Sequence, residues 1–143
     1  MEQRVKEAIF RAVQKESFAR SLHMELVALD EGYSAVEMTY NPETMGNIYD
    51  TAHGGAIFAL IDEAFETAGQ TDGSVAVALN VSVTYVSTPR SGTRLRAEAR
   101  EVSRTNKTIG YDIRVSEPDG RLIATCHALG FRTGKKIPFL TEE

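Results

Sequence analysis

The sequence predicts an α+β domain in which an antiparallel sheet of five to six strands wraps around one central helix at about residues 53–69. One long helical pattern in the middle of the chain is followed by strand patterns, and only short turns separate these strands. The chain has 143 residues, of which 42% are hydrophobic and 25% are charged, so it is long enough for one core. We therefore expect a single domain over residues 1–143.

The first forty residues predict a helix and then a hairpin. Residues 2–16 carry apolar side chains at helical spacing between charged and polar ones, which is typical of a short amphipathic helix at the edge of a domain. Residues 24–30 and 33–40 have strand character and are joined by the turn residues Asp30-Glu31-Gly32. Residues 42–50 are expected to form a loop.

The hydrophobic period becomes helical at residue 53 and changes again after Gly69. Five apolar residues fall on one stripe of the predicted central helix: Ile57, Leu60, Ile61, Ala64 and Ala68. Four strand patterns follow between turn residues, over 75–88, 94–102, 108–116 and 121–132. An antiparallel sheet of this kind has one apolar face to cover, and the central helix is the expected cover.

Charge and apolar content exclude several classes of function. The formal net charge of −4 argues against nucleic-acid binding, because phosphate contacts call for clustered basic residues. The sequence has no signal-peptide pattern and no apolar run long enough to span a bilayer, so we expect a cytoplasmic protein without membrane contact. The single cysteine, Cys126, lies in an apolar strand pattern and fits a reducing compartment.

The most informative stretch is the His-Gly-Gly sequence that opens the central helix. Backbone N–H groups at a helix N-terminus lack intrahelical partners and lie at the positive end of the helix dipole. A thioester carbonyl placed there could be polarised by the N–H of Gly54, and the two glycines would let it approach closely. Alone, His53 would more often be a capping residue and Gly54-Gly55 a packing accommodation. With Asn47 six residues before His53, the stretch offers several donors and predicts acyl-thioester hydrolysis.

The central helix also carries Asp62, at the border between its apolar and acidic sides. A carboxylate beside aromatic side chains is partly desolvated, which raises its basicity toward neutrality. Asp62 could then activate water or attack the thioester carbon directly. In the alternative interpretation, Asp62, Glu63 and Glu66 simply form a solvated helix face.

His53 and Asp62 face opposite sides of the predicted helix. The nine positions between them amount to about half a turn of net rotation and a rise of roughly 13 Å. If both residues belong to one catalytic centre, the simplest arrangement is a two-fold homodimer with two sites across its interface.

This stretch resembles the hotdog-fold acyl-CoA thioesterases, especially the phenylacetate-degradation (PaaI-like) type, whose hallmark is an Asn, then His-Gly-Gly, then an acidic residue on the central helix. Asn47, His53, Gly54 and Asp62 match that pattern at its usual spacing. The resemblance covers roughly the whole chain after the first helix. It implies a hotdog fold and a homodimer, often paired into a tetramer, that hydrolyses acyl-coenzyme A without a metal or prosthetic group. Coenzyme A is then expected only as part of substrate and product.

The resemblance also implies a function for each matching residue. Asp62 is the nucleophile or general base, the N–H of Gly54 polarises the thioester carbonyl, and Asn47 and His53 position the acyl group or the attacking water.

Two positions depart from the family pattern. Relatives often place a Ser or Thr one helical turn after the acid, or a Ser on the following strand, to hold the water. Glu66 and Ala78 stand at those positions in this sequence. Glu66 could substitute for the hydroxyl, or it could only raise the pKa of Asp62 by like-charge repulsion.

The phosphates of coenzyme A need a local cationic site in an acidic protein. The segment 104–108 is similar in position to the nucleotide-contacting segment of the family, and Arg90, Arg94 and Arg96 are alternatives. All of these residues could equally be solvated surface. The predicted substrate-binding set is Gly55, Glu66, Asn80, Tyr85, Arg104, Asn106, Lys107 and Thr108.

Two other functions share some of these features. A hotdog enoyl-CoA hydratase or dehydratase also pairs a histidine with a helix carboxylate, although the His-Gly-Gly spacing favours hydrolysis. A non-catalytic acyl-CoA sensor would more naturally lack Asp62 or carry a DNA-binding segment. The three histidines and Cys126 show no metal-ligand spacing, so no metal site is expected. The acyl group, aromatic or short to medium in length, is not specified by the sequence.

Overall fold

The computed structural model describes residues 1–140, which contain four helices and six strands. The helices are α1 (Gln3–Lys15), α2 (Ser17–Ser21), α3 (Pro42–Met45) and α4 (Gly54–Ala68). The strands are β1 (Glu25–Asp30), β2 (Tyr33–Thr39), β3 (Ser74–Tyr85), β4 (Arg94–Arg104), β5 (Thr108–Ser116) and β6 (Leu122–Lys136). None of these helices combines the length and apolar character needed to cross a membrane.

The six described strands form one antiparallel sheet in the order β1-β2-β4-β5-β6-β3. The chain leaves the sheet after β2, passes through α4, and returns at the opposite edge as β3. There β3 pairs with β6, from Ser74 opposite Lys136 to Tyr85 opposite Ala124. The predicted α+β architecture of five to six strands around a central helix is confirmed, with six strands in the described residues.

Helix α4 packs on one face of this sheet and contacts all six strands. The predicted stripe is buried: the side chains of Ile57, Leu60, Ile61, Ala64 and Ala68 are at most 4% exposed. Phe65 packs edge-on against Tyr111 of β5, with ring centroids 5.5 Å apart, and the Tyr111 hydroxyl donates a hydrogen bond to the carbonyl of Ala68. These contacts fix the position of α4 relative to the sheet, and therefore also the position of Asp62.

Two short helices were not predicted. The chain turns at Glu16, where the backbone is extended (φ −69, ψ 119), so a second helix, α2, follows α1. Within the predicted loop 42–50, α3 begins at Pro42, and the side chain of Asn41 accepts a hydrogen bond from the N–H of Glu43 at 3.0 Å. Helices of four or five residues have too few positions to show a 3.6-residue period, which is why pattern analysis missed them.

The β3 edge of the sheet is exposed and apolar. This strand has 12 residues, and Val77, Leu79 and Tyr85 are 48%, 56% and 50% exposed. An edge strand presents unpaired backbone N–H and C=O groups and can pair with another strand. A long apolar edge of this kind is unusual for a surface that faces only water.

Candidate active site

The His-Gly-Gly sequence forms the N-terminus of α4. His53 is the N-cap residue: its backbone is extended, and its Nδ1 accepts a hydrogen bond from the N–H of Gly55 at 3.0 Å. Within residues 1–140, the N–H of Gly54 has no hydrogen-bond partner. His53 therefore caps the helix, and Gly54 provides an unpaired donor at the positive end of the helix dipole.

Tyr85, a predicted substrate-binding residue, lies directly over Gly54. Its hydroxyl donates a hydrogen bond to the carbonyl of Gly54 at 3.0 Å, and a Cβ added at Gly54 would lie 3.2 Å from the Tyr85 ring. The close approach of this ring therefore favours glycine at position 54. Asn80, which precedes Tyr85 on the same strand, is exposed, and its side chain accepts a hydrogen bond from the hydroxyl of Ser82 at 3.0 Å.

The side chain of Asn47 orders the loop that precedes α4. Its Oδ1 accepts hydrogen bonds from the N–H groups of Tyr49 at 2.9 Å and Thr51 at 3.1 Å, and its Nδ2 donates to the Thr51 hydroxyl at 2.9 Å. Ile48 and Tyr49 are 88% and 78% exposed on this loop. Both ends of the Asn47 amide are thus engaged within the loop, so this side chain orders the loop that leads into α4.

Asp62 lines a cavity of about 310 Å³ between α4 and β3. The walls are mostly apolar, and the only polar side chains among them are the carboxylates of Asp62 and Glu66. The lining residues are Asp62, Phe65, Glu66, Gly69, Ala76, Val77 and Ala78. Asp62 therefore shares one cavity with Glu66 and Ala78, the two positions where the family resemblance predicts a water-holding hydroxyl, and neither of these side chains has a hydroxyl.

Burial changes the acidity of the carboxyl groups on this part of α4. Burial raises the pKa of Asp62, and the charge of Glu16 raises it further. The pKa of Glu66 is raised by burial and by the charges of Glu16 and Asp62. The predicted direction for Asp62 agrees with the structure, but the like-charge contribution comes from Glu16, a residue that sequence reasoning did not select. A carboxylate of raised pKa is a better base near neutral pH.

Glu63 is buried, so the interpretation of residues 62, 63 and 66 as one solvated face is wrong for this residue. Its side chain is 2% exposed, and burial together with a hydrogen bond that the protonated carboxyl donates to Glu16 raises its pKa. Glu63 follows Leu60 by three residues and therefore lies beside the apolar stripe, a signal that the sequence contains. No sequence signal places Glu16 next to it, because that contact is tertiary.

One chain does not bring the two halves of the predicted site together. Gly54 and Asp62 are eight residues apart on α4, which corresponds to a rise of about 12 Å along the helix axis. The cavity beside Asp62 is not lined by Asn47, His53 or Gly54. A centre that uses both halves must therefore combine two chains.

Two basic side chains lie in the segment 104–108, which was predicted to contact coenzyme A: Arg104 is ion-paired within the fold, and Lys107 is exposed. Arg104 forms ion pairs with Glu101 at 2.7 Å and Asp72 at 2.9 Å, so its guanidinium is engaged within the fold. The hydroxyl of Thr105 accepts hydrogen bonds from the N–H groups of Lys107 and Thr108, and these bonds shape the turn between β4 and β5. Lys107 and Asn106 are exposed at the tip of this turn. Lys107 is thus better placed than Arg104 to meet an external phosphate.

The alternative arginines are also paired with carboxylates. Arg90 pairs with Asp119 at 3.0 Å, and Arg94 and Arg96 pair with Glu37 at 3.3 and 2.9 Å. Their contacts are those of a solvated, ion-paired surface, so Lys107 remains the stronger candidate.

Comparison with known proteins gives consistent matches. The pattern of the Thioesterase superfamily matches residues 49–124, just over half of the chain. A protein of Archaeoglobus fulgidus named "Putative esterase" is 34% identical over 96% of this chain and 87% of its own length. The acyl-coenzyme A thioesterase PaaI of Escherichia coli is 27% identical over 87% of this chain and 88% of its own.

Solved structures extend the likeness to the fold. The structure of the Escherichia coli PaaI protein, from the phenylacetic acid degradation operon, superposes with a TM-score of 0.88 at 26% identity, covering 94% of this chain and 96% of PaaI. The protein smu.793 of Streptococcus mutans, solved bound to acetyl CoA, has a TM-score of 0.74 at 27% identity, covering 80% and 91% of the two chains. With the matched sequence pattern and the His-Gly-Gly and Asp62 arrangement, these likenesses show that the chain belongs to the thioesterase superfamily, as a PaaI-like hotdog thioesterase.

Proposed function

We propose that this thioesterase hydrolyses an acyl-coenzyme A, with an aromatic or a short to medium acyl group, to the free acid and coenzyme A. The observation that carries the proposal is the carboxylate of Asp62 in a cavity whose other lining residues, apart from Glu66, are apolar or glycine, and where burial raises the pKa of Asp62. An acyl chain can occupy such a cavity, and a carboxylate of raised pKa can act there as a base. The similarity to PaaI of Escherichia coli, named an acyl-coenzyme A thioesterase, supports the substrate class.

In the proposed reaction, Asp62 removes a proton from a water molecule whose oxygen attacks the thioester carbon. The negative charge that develops on the carbonyl oxygen is stabilised by the N–H of Gly54 and the positive end of the α4 dipole. The carbon–sulfur bond then breaks, and coenzyme A leaves as the thiolate. Direct attack by Asp62, followed by hydrolysis of the anhydride, uses the same residues.

The proposed site is shared by two chains of a homodimer. The exposed apolar strand β3 supports pairing with a second copy, since its outer edge carries unpaired backbone groups. Asp62 lies beside β3, whereas Gly54 lies about 12 Å away along α4. Two-fold pairing would let Asp62 of one chain act with Asn47, His53 and Gly54 of the other. The pairing of dimers into a tetramer, the cytoplasmic location and the absence of a cofactor remain predictions.

The proposed activity is tested by thiol release from a panel of acyl-coenzyme A substrates, without added metal. Asp62→Asn should lower kcat by about 10²–10⁴-fold, because the amide keeps the shape of the carboxylate but cannot act as a base. Asp112→Asn is the matched control, since Asp112 is an exposed aspartate on β5. Turnover by Asp62→Asn at the rate of the control would contradict the proposal, as would hydration of an enoyl-CoA without hydrolysis.

Mixed dimers test the shared site. Asp62→Ala and Asn47→Ala are refolded together in equal amounts, after each has been shown to be inactive alone. With random two-fold pairing, half of the dimers are mixed, and each mixed dimer contains one intact and one doubly altered site. About a quarter of the wild-type activity should then return. If mixed dimers form and no activity returns, each site lies within one chain.

A further inference from the structure

Three carboxyl groups from two distant parts of the chain converge beneath the N-terminal helices. Glu16 lies at the junction of α1 and α2, and Glu63 and Glu66 lie one turn apart on α4. One carboxyl oxygen of each residue lies within 4.8 Å of the corresponding oxygens of the other two. Oxygens that bind the same Ca²⁺ at about 2.3–2.6 Å can be up to about 5 Å apart, so this spacing fits a single ion.

The environment of Glu63 points to a ligand independently of this spacing. Its side chain is 2% exposed, and its Oε1 atom is buried without a hydrogen-bond partner. The charged groups with the strongest influence on it are all carboxyls, from Glu16, Glu66 and Asp62. A buried carboxyl oxygen with no partner is costly to fold, so the structure calls for a group that engages Oε1.

A cation satisfies this requirement better than a shared proton. A proton between Glu16 and Glu63 engages one oxygen of Glu63 and leaves Oε1 without a partner. A cation bound by both oxygens of Glu63 engages Oε1 as well, and its charge offsets the repulsion among the three carboxylates. Ligands that are all carboxylate oxygens favour a hard cation over zinc or copper.

The site also has room for the remaining ligands. A cavity of about 240 Å³ opens beside Glu16 and Glu66, between α1 and α4. Its polar lining includes Lys15, Thr67 and Gln70. Ca²⁺ takes six to eight oxygen ligands in flexible geometry, and water in this cavity can complete the set.

We propose that Glu16, Glu63 and Glu66 bind one Ca²⁺ ion that links the junction of α1 and α2 to the central helix. The ion is structural: it connects two segments that are 47 residues apart between Glu16 and Glu63. It takes no part in the hydrolysis proposed above. The proposal departs from the sequence prediction of no metal site, which rested on histidine and cysteine spacing, whereas Glu16 and Glu63 are brought together only by folding.

The test is the thermal unfolding of the full chain in EDTA and in Ca²⁺, a readout that does not depend on hydrolytic activity. At about 100 times Kd, Ca²⁺ should raise the Tm of the wild type by roughly 5–10 °C, since an ion that binds only the folded state stabilises it. Glu63→Gln and Glu16→Gln should lose this rise. Glu7→Gln, at an exposed position on α1, should retain it. Binding of Mn²⁺, followed by its electron paramagnetic resonance signal, should be lost in the same two variants.

Two results would overturn the proposal. One is the absence of any Tm rise in the wild type at millimolar Ca²⁺, which would leave a shared proton or the ammonium of Lys15 as the group that compensates the cluster. The other is an equal rise in Glu16→Gln and the wild type, which would place the ion elsewhere. If Glu63→Gln does not fold, Glu16→Gln and the Mn²⁺ signal of the wild type decide the question.

Discussion

The donor at Gly54 can be removed without removing the helix that presents it. Proline has no N–H and is favoured at the first position of a helix, which is the position of Gly54. The residue before a proline must be extended, and His53 already has φ −66 and ψ 130. Gly54→Pro should therefore keep α4 intact while deleting one hydrogen-bond donor.

Gly54→Ala is the matched control for this substitution. Both variants add a Cβ that would lie 3.2 Å from the Tyr85 ring, and Tyr85 is 50% exposed and can shift. Only alanine keeps the N–H. The kcat of the proline variant should be about 10²–10³-fold below that of the alanine variant, which is the effect of removing one oxyanion donor, about 2.7–4 kcal/mol.

The assay is steady-state hydrolysis of the best acyl-coenzyme A, with circular dichroism and thermal unfolding to show that both variants are folded. Equal kcat values in folded Gly54→Pro and Gly54→Ala would refute the function assigned to this N–H. If these equal values also lie well below the wild-type kcat, the loss comes from the contact of the added Cβ with Tyr85.

Two further predictions concern the charged groups around the turn between β4 and β5. Lys107→Ala should raise KM for coenzyme A thioesters more than for a pantetheine thioester that lacks the nucleotide phosphates, and equal KM effects on both substrates would remove Lys107 from the phosphate site. Arg104→Ala should mainly lower Tm, because Arg104 is paired with Glu101 and Asp72. Burial alone would raise the pKa of Asp72, but hydrogen bonds from Ser74 and Arg104 outweigh burial and lower this pKa. The ionised carboxylate therefore stabilises the fold at pH values above the pKa of Asp72 in the unfolded chain. This stabilisation is lost as the pH falls through the pKa of Asp72 in the folded protein. Thermal unfolding below about pH 4 should therefore show a steeper loss of Tm in the wild type than in Asp72→Asn, and parallel curves would contradict this assignment.

The predicted central helix and the observed one agree closely. The predicted span 53–69 becomes Gly54–Ala68 with His53 as the N-cap, because capping residues and the apolar period are local signals. Strands were also predicted in number and order along the chain, but β4 and β6 extend to Arg104 and Lys136, further than predicted. Polar strand ends are held by pairing with a neighbouring strand, and this cannot be read from their own composition.

Some features of the candidate site could also be predicted from the sequence, and others could be seen only in the structure. The spacing of Asn47, His53, Gly54 and Asp62 was sufficient to predict a thioesterase, since the pattern lies within sixteen consecutive residues. The opposite facing of His53 and Asp62 also follows from helix geometry alone. The donor at Gly54 was also predicted, but only the structure shows that the His53 cap uses the N–H of Gly55 and leaves the N–H of Gly54 free.

Sequence by itself determined the fold class, the family and the acid on the central helix, because periodicity, caps and motif spacing depend on residues that are near one another in the chain. The tertiary structure decided which charges are available: Arg104 is held by Asp72, Glu63 is buried, and Glu16 lies beside it. These outcomes depend on desolvation and on contacts between segments that are distant in sequence. The sequence around a charged residue does not show which distant residue will contact it, so its ionisation and its availability are decided only by the folded structure.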